Sequence, residues 1–123
     1  MSGLIIHGGA GRARTRAGCE AISQALEHIA IECWQRIETG EEALGVATHA
    51  AVLLENNPLF NAGLGSKLQR DGGARLSAAL MNGANERFSG VVNVEGILNP
   101  ILLCAELQTA RDRVLSGAGA KGN

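Results

Sequence analysis

Aromatic side chains are almost missing from this chain of 123 residues: Trp34, Phe60 and Phe88 are all there is, and Tyr is absent. A core built without rings is aliphatic and thin. Long apolar runs are missing as well. The longest, such as Ala50 to Leu54 and Ile101 to Ala105, have five residues, against roughly 20 for a membrane-spanning helix. Leu4-Ile5-Ile6 is too short for the apolar heart of a signal peptide. Charge of one sign is missing: 11 Lys+Arg stand against 12 Asp+Glu, for a net charge of −1. Such a balance does not suit a polyelectrolyte binder, so neither nucleic acid nor an anionic membrane is an expected partner. Paired cysteines are missing too. Cys19, Cys33 and Cys104 lie far apart with no CxxC, and His7, His28 and His49 make no HxxxH or HExxH pattern. The three thiols are expected to be free and buried, in a reducing cytoplasm.

What is present is apolar residues at 46% and glycine at 17 of 123. The first excludes wholesale disorder. The second is about twice the usual share and implies tight turns or close backbone approaches. The length allows one small domain.

Periodicity predicts a short buried strand over Gly3 to His7, then a glycine turn over Gly8 to Gly11. Ile22, Leu26, Ile29, Cys33 and Ile37 follow at helical spacing and mark one helix ending at Thr39-Gly40. Thr39-x-x-Glu42 reads as a capping box for a second helix, about 41 to 56, with a stripe of Leu44, Ala47, Ala51 and Leu54 widened by Ala43 and Ala50. Asn56-Asn57-Pro58 ends it, and Leu59 to Gly65 is a loop. Strands are expected over Lys67 to Arg70, Ala74 to Met81 and Arg87 to Ile97, separated by turns at Asp71-Gly72-Gly73 and Asn82-Gly83. Asn99-Pro100 opens a last helix with a stripe of Leu103, Leu107, Ala110 and Val114. Residues 116–123 read as a flexible tail. The order suggests a layered α+β arrangement without βαβ alternation, and a sheet of three or four strands leaves one face and its edges uncovered. Val91, Val92, Val94 and Ile97 are expected to need a second sheet.

Two segments could carry chemistry. In Leu4-Ile5-Ile6-His7-Gly8-Gly9-Ala10-Gly11, a glycine turn between strand and helix could aim N–H groups at a phosphate. The details fail: the first Lys is Lys67, and Arg14 stands where a dinucleotide fingerprint has its third Gly. A tight turn, or a glycine loop beside an active centre supplied by other residues, remains. His7 alone reads as a hydrogen-bonded buried histidine rather than a general base. The second segment, Leu54 to Ser66, has few charges and many carbonyls, which can ring a hard cation or simply connect a helix to a strand. Among lesser features, Arg12, Arg14 and Arg16 read as solvated surface, Trp34 as core edge or subunit contact, Met81 as core, and Glu41-Glu42 as helix-dipole residues.

The stretches IHGGAG, NPLFNAGLGS, DGG…LSAALMNG, GVVNVEGILNPILL and LSGAGA occur in this order between Leu4 and about Ala120. Together they make a sequence that resembles the plant-type asparaginase and isoaspartyl peptidase family of N-terminal-nucleophile (Ntn) hydrolases. The resemblance implies the N-terminal part of a four-layer αββα sandwich, made as a precursor that cuts itself. The new N-terminal Thr of the C-terminal part is then the nucleophile, its own α-amino group the base, and L-aspartate is released from L-asparagine or β-aspartyl dipeptides. It implies an (αβ)2 heterotetramer in which residues 1–123 belong to the α subunit. His7, Gly8 and Gly9 would form the turn next to the nucleophile, and Asn61 would lie beside the active centre. The carbonyls of Leu54, Glu55, Asn57, Phe60, Ala62 and Leu64 would hold a structural sodium ion; if Gly63 sits at positive φ, a β-branched residue there is strained and the loop loses its cation. No cofactor is implied for the chemistry itself.

The family's nucleophile lies in Gly-Thr-Val-Gly, whereas Thr15, Thr39, Thr48 and Thr109 are not followed by Val-Gly. The chain is therefore expected to be an isolated or truncated N-terminal subunit, inactive alone. A non-catalytic docking remnant and a phosphate- or nucleotide-binding module on Gly8 to Gly11 are the rival readings. Where many relatives read Glu-x-Asp-Ala-x-x-Met-Asp-Gly, this chain has Arg75, Ser77 and Asn82 at the acidic positions, which changes the local pairing.

Overall fold

A computed structural model describes residues 1–117 apart from Arg12 and Gln69. Helix α1 spans Arg16–Glu38. It starts where Thr15 Oγ1 accepts from Gly18 N at 2.9 Å, and it stops at Gly40, whose φ of +91° only glycine adopts without strain. Ile29 and Cys33 are its buried residues, flanked by Ile22, Leu26 and Ile37, as the spacing predicts.

Helix α2 is Ala43–Glu55. The capping box does not form. Thr39 closes α1 instead, its hydroxyl donating to Arg36 O at 2.9 Å, and an Arg36–Glu41 hydrogen bond of 2.9 Å ties down the turn. Helix α2 has Glu42 as its N-cap residue, so Thr39 lies three residues before the cap position. The predicted stripe holds in part, with Leu44, Ala50, Ala51 and Leu54 packed in apolar clusters. Ala47 is exposed, and Val46, Ala50 and Glu55 are buried.

The reason is that α2 is packed on two sides. Val46, Ala50, Leu53 and Leu54 join Ile29, Cys33 and Phe60 in one apolar cluster. Leu44, Ala51 and Val52 lean on a second cluster of Leu80, Val91, Val94, Ile101, Cys104 and Leu107.

The sheet has the order β1-β2-β3. β1 (Leu76–Asn82) and β2 (Arg87–Val94) are antiparallel, with Leu80 opposite Ser89 and Met81 opposite Phe88. β2 leads through α3 (Pro100–Leu107) to β3 (Val114–Ser116), which pairs parallel to β2. This crossover is a βαβ unit, contrary to the reading without one. Val114 lies on a strand and Ser116 is not tail. The rest of the expected tail, 118–123, lies outside the described residues.

Helices α2 and α3 cover one sheet face, and α1 packs on α2. Val91 and Val94 are thus buried by helices, not left awaiting a second sheet. The face that is left open carries Met81, Phe88, Val92 and Val114, each 45–56% exposed. Met81 is therefore not a core residue. Under the covered face, Ser89 Oγ donates to Cys104 O at 2.6 Å, and Gln108 Nε2 donates to Leu80 O, Arg87 O and Ser89 Oγ. These bonds pin the C-terminal end of α3 to the hairpin.

Two expected strands are absent among the described residues. Gly3 to His7 forms none: Leu4 and Ile6 touch the α1–α2 cluster while Ile5 is 95% exposed. One-sided alternation is strand-like, but a strand needs a neighbour to bond. Lys67 to Arg70 forms none either, and Lys67 N–H is bonded to the side chain of Asn61.

Candidate functional site

Gly8 packs directly on the ring of Phe60, so that a Cβ at Gly8 would stand 2.8 Å from Phe60 Cε1. Gly9 has φ +106°, and its N–H donates to His7 Nδ1 at 2.9 Å. His7 is hydrogen-bonded as expected, but it is exposed rather than buried. Accepting through Nδ1 leaves Nε2 as the protonated nitrogen of the neutral ring, so His7 serves the turn. Between this glycine loop and the loop after α2 lies a cavity of about 610 Å³, lined by His7, Gly8, Gly9, Phe60, Asn61 and Lys67 among others. Asn61 Oδ1 accepts from Lys67 N at 2.7 Å. With that oxygen occupied, Asn61 Nδ2 is a donor this wall can offer to a carbonyl or carboxylate.

The expected sodium loop leaves the C-terminal end of α2 and turns back on it, with Gly63 against Glu55 and Gly65 against Phe60. Gly63 has φ +48°. A Cβ there would lie 2.5 Å from Glu55 O, and one at Gly65 would lie 2.1 Å from Phe60 O and 2.7 Å from Pro58 O. The loop is held by Asn57 N to Leu54 O, Phe60 N to Asn57 O and Gly65 N to Ala62 O, at 3.0–3.3 Å. These are uncharged oxygen donors in a backbone cradle that a side chain would fill. That chemistry fits a hard cation of low charge. The carbonyl of Pro58 also faces Gly65. Its place depends on how Gly65 turns.

The carboxylate of Glu55 points away from the loop. It is 5% exposed, and it accepts from Asn99 Nδ2 and Ile101 N, each at 3.1 Å. Burial pushes its carboxyl up, while the Asn99 amide and the Ile101 N–H pull it back. Asn99 was expected to cap α3, yet its side chain makes no cap bond. Glu55 supplies that bond from 46 residues earlier.

The altered acidic positions are satisfied locally. Arg75 forms a fork with Asp71, at 3.1 and 2.6 Å, and reaches Glu95 at 2.8 Å. Ser77 Oγ accepts from Asn93 N, and Asn82 Oδ1 from Ala84 N. The hydrogen bonds from Arg75 and from Gly73 N–H hold the Asp71 carboxyl down at about 2. A depressed carboxylate contributes stability that is present above its unfolded value, about 3.9, and lost as pH falls through the folded one. Arg75→Ala is expected to raise Asp71 most of the way back towards the ordinary range, leaving the Gly73 N–H bond, and to shrink the part of the acid sensitivity between about pH 4 and pH 2 that Asp71 causes. An NMR titration of Asp71 in both forms checks this, and an unmoved midpoint would contradict it.

The remaining candidates have structural roles. Burial pushes the Cys33 and Cys104 thiols up, while Cys19 is exposed, against expectation. Trp34 is 40% exposed and lines an apolar groove with Leu4 and Ile31. Arg16 pairs with Glu20 on the surface, and Arg12 lies outside the described residues. No group of three His, Cys, Asp or Glu among the described residues could hold a metal ion, and no helix there is long and apolar enough to cross a membrane.

The family model for asparaginase matches residues 1–122. The chain belongs to the asparaginase family. The isoaspartyl peptidase/L-asparaginase of Synechocystis sp. is 44% identical over 117 residues, covering 95% of this chain and 36% of the relative. The protein of the same name from Nostoc sp. is 47% identical over 118 residues, covering 95% and 37%. The plant-type L-asparaginase of Pyrococcus furiosus is 36% identical over 121 residues, covering 98% and 39%. This asparaginase-family chain thus spans less than two-fifths of the length of these relatives. Its three helices and three-stranded sheet form a small α+β body, compatible with the N-terminal part of an Ntn fold.

Proposed function

We propose that this chain is the N-terminal, α-subunit part of an amidohydrolase releasing L-aspartate from L-asparagine and β-aspartyl dipeptides. The nucleophile is a Thr at the start of a C-terminal part. The observation that carries this reading is the cavity where the His7-Gly8-Gly9 turn meets Asn61, in a chain matched by the asparaginase family over residues 1–122.

A hydroxyl is a weak nucleophile until a base takes its proton. Three of the four threonines hold helix termini or turns. Thr15 Oγ1 accepts from Gly18 N, Thr39 donates to Arg36 O, and Thr48 donates to Leu44 O. In the reading that the family resemblance implies, the nucleophile and its α-amino base come from the second part, which seats its Thr against the glycine turn. Asn61 offers its amide to the substrate or to the developing negative charge. The sodium loop of Leu54, Glu55, Asn57, Phe60, Ala62 and Leu64 shapes that wall and takes no part in the chemistry. Two such αβ pairs associate as (αβ)2, in the cytoplasm.

The open sheet face of Met81, Phe88, Val92 and Val114 supports the presence of a second sheet above it. The phosphate reading fares worse. Helix α1 begins at Arg16, not at Gly11, so the glycine turn does not lead directly into a helix N-terminus.

The test is hydrolysis of L-asparagine and of a β-aspartyl dipeptide by the longer protein that carries this segment. Asn61→Ala is expected to lower kcat by about 10²-fold or more, as for the loss of one oriented donor. Wild-type protein inactive on both substrates would remove the reading. Saturable micromolar binding of ATP or phosphate, lost in Gly9→Val, would restore the nucleotide module.

A further inference from the structure

Glu55 sits where three parts of the chain meet. It closes α2, and its Oε2 accepts from Ile101 N in the first turn of α3. Its Oε1 accepts from Asn99 Nδ2, which also donates to Asn56 Oδ1 at 2.9 Å. Helix α3 has no side-chain cap of its own, so this carboxylate is what satisfies its leading N–H. On the other side of the same residue lies Gly63. A Cβ at Gly63 would be 2.5 Å from Glu55 O and 2.7 Å from Glu55 Cβ. The loop that contains Gly63 also carries Phe60 and Asn61, two walls of the cavity.

The geometry points to Glu55 as a positioning residue that couples the seating of α3 to the shape of the 57–65 loop, and through it to the placement of Asn61. Close-packed backbone transmits displacement instead of absorbing it. Gly63 backs so closely on Glu55 that not even a Cβ fits between them, so a shift of Glu55 when its carboxylate loses α3 alters the surface on which Gly63 rests. The effect on turnover rests on the hydrolase reading above; the coupling between α3 and the loop does not.

Amide hydrogen exchange at 57–65 and 100–107, measured in the longer protein beside steady-state asparagine hydrolysis, tests this. Glu55→Ala is expected to raise exchange about tenfold or more in both segments, the loss of hydrogen bonds to a charged acceptor. It should lower kcat in step with the loop while KM stays within about twofold. Glu55→Gln keeps an acceptor for Ile101 N–H and is expected to restore protection to within about threefold of wild type, with kcat following. Faster exchange confined to 100–107 would reduce Glu55 to a cap of α3 and overturn the coupling. A loosened loop with unchanged kcat would overturn its role in positioning Asn61. Should Glu55→Ala fail to fold, Asn99→Ala removes the neutral donor and is read on the same two segments, with the same outcomes deciding. Wild-type protein inactive on asparagine and on a β-aspartyl dipeptide would defeat the hydrolase reading, and the exchange data would still decide the coupling.

Discussion

Gly65→Ala is expected to destroy the 57–65 loop and to cost roughly 3 kcal/mol or more of stability, beyond ordinary overpacking. The added methyl carbon would stand 2.1 Å from Phe60 O and 2.7 Å from Pro58 O. Both are backbone atoms, so no rotamer change relieves the contact. Gly63→Val should act in the same direction for two reasons. Its φ of +48° strains a β-branched residue, and its Cβ would meet Glu55 O at 2.5 Å. In each variant the carbonyl cradle opens and any cation it holds is lost. Thermal unfolding in sodium and in a bulky organic cation at equal ionic strength reads both effects. A Gly65→Ala protein with unchanged Tm would contradict the placement of those carbonyls.

Residues 1–123 expressed alone are expected to show no asparagine turnover and to self-associate. The chemical half of this follows from the proposed site, which takes its nucleophile from elsewhere. The physical half follows from the sheet. Met81 and Phe88 are cross-strand neighbours on the open face, and Val114 is paired with Gly90 beside them. Burying one such side chain is worth about 1.5–3 kcal/mol, and a domain's net stability is about 5–15 kcal/mol. Four half-exposed apolar residues are therefore a substantial loss. Phe88→Glu with Val92→Lys should make the isolated chain more soluble and prevent its assembly with a C-terminal part. Sedimentation of the chain alone, with and without these changes, checks this. A soluble cooperative monomer with the wild-type face would contradict the half-sandwich.

The parts of this structure that were legible in the sequence are those set by local rules. The 3.6-residue spacing of Ile22 to Ile37, Gly40 past a helix end and Pro100 at a helix start each depend on a few adjacent residues. What failed depends on partners. Gly3 to His7 has the alternation of a strand but no strand beside it. β3 is three residues long and exists because β2 is there to pair with it. Helix α2 was read with one apolar face because a stripe count cannot show that two clusters share it. The site divides the same way. Motifs pointed to the glycine turn and Asn61, which line one cavity, whereas the bond from Glu55 to Ile101 crosses 46 residues and leaves no local signal.

The most direct measurement is reconstitution: co-expression of this chain with a matching C-terminal part beginning at Thr, followed by assay on L-asparagine and a β-aspartyl dipeptide. The expected result is a stable complex that releases L-aspartate and loses turnover when that Thr is replaced by Ala. A well-folded, correctly processed pair that hydrolyses neither substrate would contradict the assignment of this chain as the α-subunit part of such an enzyme.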